Sequence, residues 1–200
     1  MNLIGQRAPG FISQAVMGDG TINENFNLHE QLNGQYGILF FYPLDFTFVC
    51  PSELIAFHHR LAAFAEKNTQ VIAVSIDSQF THLAWRNTAL ENGGVGPLAY
   101  PMVADCSHKI IHSYGVQAAS EDVALRATFL IDANGIIRHQ SINDLPLGRN
   151  VDEYLRLVDA WQFHEAHGEV CPAGWQVGED GMNASPEGVA RYLSEHSQSL

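Results

Sequence analysis

Apolar positions along the chain switch repeatedly between two periods. Gly37 to Tyr42 and Thr69 to Ile76 are short, nearly continuous apolar runs, which fit strands buried on both faces. Between them, Pro51 to Glu66 brings Leu54, Phe57, Leu61 and Phe64 back at helical spacing and predicts one helix with an apolar face. Gln79 to Asn87 predicts a further helix, and Gly93-Gly94-Val95-Gly96-Pro97 a loop. A short strand is expected at Tyr100 to Ala104 and a short helix at Ser107 to Tyr114. Arg126 to Ile131 and Gly135 to Ile142 flank Asp132-Ala133-Asn134-Gly135, whose Asn-Gly pair marks a hairpin turn. Val151 to His167 carries Tyr154, Leu155, Val158, Trp161 and Phe163 and reads as a long helix. Upstream, residues 11–36 read as an irregular or hairpin segment turning at Gly18-Asp19-Gly20.

From Gly168 the pattern dissolves into a Gly-rich stretch around Cys171-Pro172-Ala173-Gly174-Trp175, until a last helix at about Pro186 to His196. Strand–helix–strand–helix followed by a hairpin and a helix predicts an α/β fold, a central mixed β-sheet flanked by helices. Residues 1–167 are expected to form the main domain and 168–200 a C-terminal extension.

Composition changes this picture little: 46% hydrophobic and 16% charged residues are ordinary for a globular protein. Charge changes it more. A net charge of −12 with ten Lys and Arg argues against nucleic acid and against anionic membrane surfaces as partners. No apolar run approaches the roughly 20 residues of a spanning helix. The N-terminus lacks a basic stretch followed by an apolar one, so no secretory signal is expected. Three cysteines with no close pair are not a disulfide framework; they fit a reducing compartment, and a cytoplasmic protein is expected.

Candidate chemistry centres on Cys50. The strand run ends at Pro43, a short loop follows, and Pro51 after the cysteine suits a first helical position, where its missing N–H costs nothing. Cys50 is thus expected at a helix N-terminus beyond a strand's carboxyl end, where α/β sheets place their sites. Open N–H groups and the macrodipole there favour an anion, hence the nucleophilic thiolate. Thr47, three residues earlier, carries a hydroxyl able to donate to and accept from both the sulfur and an incoming oxygen. Pro43 is expected to roof the pocket against water.

Pro43-x-x-x-Thr47-x-x-Cys50 resembles the active-site signature of peroxiredoxins, and Val170-Cys171-Pro172 resembles the resolving-cysteine motif of their typical two-cysteine group. The likeness extends through His82-Leu83-Ala84-Trp85, Gly93-Gly94-Val95-Gly96, Leu125-Arg126-Ala127-Thr128-Phe129-Leu130-Ile131-Asp132 and Asn143-Asp144-Leu145-Pro146-Leu147-Gly148-Arg149. It implies a thioredoxin-like fold and peroxide reduction with no cofactor and no metal. Cys50 matches the peroxidatic cysteine, Thr47 and Pro43 its signature partners, and Arg126 the pocket arginine. Glu53 and Arg149 match residues that hold that arginine. Cys171 matches the resolving cysteine, which in the family pairs with the peroxidatic cysteine of the other subunit of a homodimer. The resemblance implies further that thioredoxin or a flavoprotein disulfide reductase recycles the disulfide, and that a ring of five dimers, often formed in the family, is possible here.

Other features have plainer readings. Cys106 lacks supporting residues and is taken as structural or incidental. Cys106-x-His108, His108-x-x-x-His112 and His164-x-x-His167 come without a full ligand set, so no metal site is expected. Trp85 is assigned to packing, in the core or under the active-site loop. A thioredoxin-like disulfide oxidoreductase would need C-x-x-C, and position 47 is threonine. A stress-responsive holdase or redox relay on the same scaffold is the alternative. In easily over-oxidised members of the family, a Gly-Gly-Leu-Gly loop accompanies a Tyr-Phe pair in the last helix. Here Val95 and Tyr192-Leu193 imply intermediate sensitivity.

Overall fold

The structure is a computed structural model describing residues 1–198 and 200. Two compact units divide it, Met1–Val151 and Asp152–Leu200. In the first, strands β1 (Ile12–Val16), β2 (Ile22–Asn27), β3 (Tyr36–Phe41), β4 (Thr69–Ser75), β5 (Met102–Ala104), β6 (Arg126–Ile131) and β7 (Ile137–Asn143) form one sheet. Its order is β2-β1-β5-β4-β3-β6-β7, with β3, β4 and β5 parallel and the remaining pairings antiparallel. This is the mixed sheet expected of the thioredoxin-like fold.

Because side chains alternate across a strand, β3 feeds both layers of the core. Leu39 and Phe41 join Tyr114 and Phe129 on one face, where the Phe41 and Tyr114 ring centroids lie 5.2 Å apart. On the other face Phe40 stacks on Phe57 at 4.1 Å. Helix α5 (Lys109–Tyr114) supplies Ile110, Ile111 and Tyr114 to the first layer.

The helix expected over Pro51 to Glu66 is two, α2 (Cys50–His59) and α3 (Leu61–Glu66). Arg60 leaves the helical region between them, at φ −106° and ψ 4°. The preceding His58-His59 pair has only modest helix propensity. His58 Nδ1, moreover, accepts from the Ala99 N–H at 3.2 Å. The bend keeps Phe57 and Phe64 stacked, both fully buried. Residues 11–36 form the β1–β2 hairpin, then the five-residue helix α1 (Leu28–Leu32), capped by the Asn27 side chain. Helix α4 (Gln79–Asn87) has its expected bounds and is capped by the Ser78 side chain. At the β6–β7 turn Gly135 takes φ +80°, and Asp132 Oδ1 accepts from the Asn134 and Ile136 N–H groups.

The second unit contains α6 (Val151–His167, from the last residue of the first unit) and α7 (Pro186–His196), both with the expected bounds. The Gly-rich stretch between them is folded. Val170 and Met182 exchange N–H···O bonds of 2.9 Å, and Trp175 is buried against Phe163. Among the described residues no helix is long and apolar enough to cross a membrane.

Candidate active site around Cys50

β3 ends at Phe41, and the chain turns through Tyr42 to Val49 before α2 starts at Cys50, with Pro51 in its first turn. No described side chain caps that start, and Val49 at the cap position has helical φ and ψ. Phe46 makes the turn possible with φ +53°, a left-handed conformation unusual for a bulky residue. Cys50 is fully buried and Pro43, seven residues earlier, is buried too, whereas Thr47 is half-buried.

Two of the residues singled out in the first unit, Thr47 and Arg126, reach the sulfur. Thr47 Oγ1 lies within donating distance of both Cys50 Sγ (3.0 Å) and the Leu44 carbonyl (2.8 Å), and it has one hydrogen to give. Arg126, at the start of β6, donates from Nη1 to Cys50 Sγ at 3.3 Å and to Glu53 Oε2 at 2.7 Å, one hydrogen for each. Its Nε donates to the Leu145 carbonyl at 2.6 Å, so the guanidinium is fixed at both ends.

Glu53, one helical turn after Cys50, receives Arg149 as well, from Nε at 2.8 Å and Nη2 at 2.9 Å. Arg149 Nη1 donates to the Phe41 and Ala127 carbonyls, and its guanidinium lies over the Phe40 ring. These carboxylate and guanidinium groups are buried. One carboxylate between two guanidiniums leaves a positive charge uncompensated in a low-dielectric place, and the group facing Arg126 across the open side is the sulfur.

Trp85 is fully buried. Its Nε1 donates to the Gly93 carbonyl at 2.8 Å, and its ring lies 5.7 Å from that of Phe46. It therefore ties the Gly93–Gly96 loop to the turn before Cys50, which joins the two readings given above. The sequence reading missed a buried group behind that turn: Asp45 accepts from the Tyr42 hydroxyl and faces His82 Nδ1, both at 2.7 Å. An aspartate inside an aromatic run is the signal that marks it.

In the second unit Cys171 is half-buried, and its thiol donates to the Ala160 carbonyl at 3.3 Å. Burial pushes this thiol above its ordinary range, which Arg156 only partly offsets. Cys106 is exposed, and partial burial with Asp77 and Asp105 nearby pushes its thiol up too. No described His, Cys, Asp or Glu side chains gather in threes as a metal site would need.

Comparison with known proteins places the chain in a family. The AhpC/TSA family profile matches residues 4–140, and that of the C-terminal domain of 1-Cys peroxiredoxin matches residues 160–195. Alkyl hydroperoxide reductase C of Buchnera aphidicola (subsp. Schizaphis graminum) is 52% identical, over 98% of this chain and 99% of its own. Peroxiredoxin-2 of Bos taurus is 50% identical, over 97% of this chain and 96% of its own. Among solved structures, the reduced 2-Cys peroxiredoxin of Plasmodium vivax superposes with a TM-score of 0.93 at 48% identity, covering 97% of this chain and 100% of that one. The sulfur-centred geometry and relatives matched over nearly their full length agree: the chain belongs to the AhpC/TSA family.

Proposed function

We propose that the protein is a thiol peroxidase in which Cys50 reduces hydrogen peroxide and small alkyl hydroperoxides. The observation that carries this is the convergence of the Arg126 guanidinium and the Thr47 hydroxyl on one buried sulfur. The thiolate attacks one peroxide oxygen. An S–O bond forms at the expense of the O–O bond, sulfur gives up two electrons, and the departing oxygen takes a proton to leave as water or alcohol. Charge develops on that oxygen beside a fixed guanidinium in a water-poor site, the arrangement that lowers such barriers most. When the single Thr47 hydrogen is on the Leu44 carbonyl, the hydroxyl's lone pairs are free to accept from the peroxide O–H. Pro43 shields the pocket, and Glu53 and Arg149 hold Arg126.

The sulfenic acid then condenses with the partner subunit's Cys171 in a two-fold homodimer, releasing water and forming a disulfide. Thioredoxin or a flavoprotein disulfide reductase returns both thiols. The dimers assemble further, into a ring of five, and the protein works in the cytoplasm. Two features support a mobile resolving step: an α2 start without a side-chain cap, and a Cys171 thiol held by a backbone carbonyl. Single-turnover stopped-flow tests the first step. Peroxide should be consumed by the wild type and not by Cys50→Ser; consumption by that variant removes Cys50 from the role. On a non-reducing gel, peroxide should produce a covalent dimer that either Cys50→Ser or Cys171→Ser prevents.

A further inference from the structure

Behind the turn that carries Thr47 lies a buried polar group that the proposed chemistry leaves unused. Asp45 and His82 have fully buried side chains, and Tyr42 is fully buried. Both Asp45 oxygens are engaged, Oδ1 by the Tyr42 hydroxyl and Oδ2 by His82 Nδ1, each at 2.7 Å. His82 Nε2 faces the Val103 carbonyl at 3.2 Å. A carbonyl can only accept, so Nε2 carries a hydrogen. The contact at Nδ1 then holds one proton between ring and carboxylate, whichever bears it, and the pair is neutral as a whole. Such a pair can be buried at far lower cost than a lone charge. Burial also holds the Tyr42 phenol well above its usual range, so it stays a donor.

The pair fixes Asp45 in space, and its backbone N–H is bound too, donating to Asp77 Oδ2 at 2.7 Å. Asp45 lies between the residue whose carbonyl accepts from Thr47 and the left-handed Phe46. One helical turn beyond His82, Trp85 packs on Phe46 from the same face of α4. The α4 face therefore grips consecutive residues of the turn, and the next residue is Thr47.

We propose that His82, through Asp45, is a positioning residue that fixes the Leu44 carbonyl and so decides where the Thr47 hydroxyl points in the reaction at Cys50. This rests on the peroxidase reading above. His82→Gln places a donor near Nε2 but none near Nδ1, whereas His82→Asn does the reverse and keeps a donor toward Asp45. A displaced reacting group loses rate steeply, so His82→Gln is expected to slow single-turnover peroxide reduction by about thirtyfold. His82→Asn should recover most of that loss, although it lacks the bond to Val103 and both variants lower the melting temperature.

Two readouts separate positioning from damage to the fold. Alkylation of Cys50 by iodoacetamide breaks no O–O bond, so its rate should change by less than about threefold in His82→Gln. In a Thr47→Val background, His82→Gln should add little further loss, because the residue it acts through is gone. Equal losses in the Gln and Asn variants, parallel losses in alkylation and peroxide reduction, or full additivity with Thr47→Val would each overturn the proposal. So would a His82→Gln rate equal to the wild type's. A wild type that consumes no peroxide is a different failure, that of the peroxidase reading itself.

Discussion

Around Cys50, side chains from the preceding turn and from β6 meet at the sulfur, with Glu53 and Arg149 bracing them from behind. Around Cys171 the sulfur's hydrogen bond goes to a backbone carbonyl eleven residues back, and burial disfavours the thiolate. Both are cysteines followed by proline. What separates them is the number of fixed donors aimed at the sulfur, and hence which of them can stabilise a charge that exists only during reaction. In the reaction proposed above, the first attacks and the second waits for an electrophilic sulfur.

Breaking the comparison should be easiest at Arg126. Arg126→Ala removes the fixed donor and should lower the single-turnover rate by about a thousandfold. Arg126→Lys should restore only part, since one ammonium cannot serve Glu53, the sulfur and the Leu145 carbonyl in the same geometry. A loss under threefold in stopped-flow would mean the two cysteines differ for some other reason. Next is Glu53→Gln, which leaves Arg126 and Arg149 without their shared carboxylate and should cost about 3 kcal/mol of stability. That is read as a lower urea midpoint at unchanged m value.

Acidity sharpens the comparison from the other side. Thiolate is the attacking form, and the Cys171 thiol is raised, so its thiolate fraction grows with pH throughout the neutral range and beyond. The second kinetic phase, disulfide formation, should accelerate by about tenfold per pH unit and still be climbing at about pH 9. A plateau near pH 7 would show that Cys171 is activated after all. The smallest effect belongs to Trp85→Phe, which loses the bond to Gly93 and should cost about 1 kcal/mol, seen as a lower melting temperature.

The hydrophobic pattern located the elements because buried strands and amphipathic helices impose their periods on neighbouring residues. It gave α4, β6, α6 and α7 with their observed bounds. It did not reveal the interruption at Arg60, next to which a backbone group from beyond Pro97 meets His58. Strand order was equally hidden, since pairing joins segments far apart in the chain. At the site, Pro43, Thr47 and Cys50 could be read because one turn carries them all. Arg126, Glu53, Arg149 and Cys171 came only through resemblance, because nothing local ties a strand-end arginine to a distant cysteine. The Leu44 and Leu145 carbonyls could not have been read at all, as every residue has one. Asp45 and His82 left a faint mark: a carboxylate among aromatics, and a histidine one turn before a buried tryptophan.

The bare start of α2 bears on any attempt to toughen this protein. A designer seeking heat resistance would turn first to Val49, where an aspartate or serine would cap the opening turn of the helix for about 1 kcal/mol only if residue 49 gave up its helical φ and ψ for an extended one. Under the proposed mechanism, a turn locked in that way would lengthen the life of the sulfenic acid inside its pocket and expose it to a second peroxide before the other thiol arrives. The sturdier enzyme would be the one that poisons itself sooner.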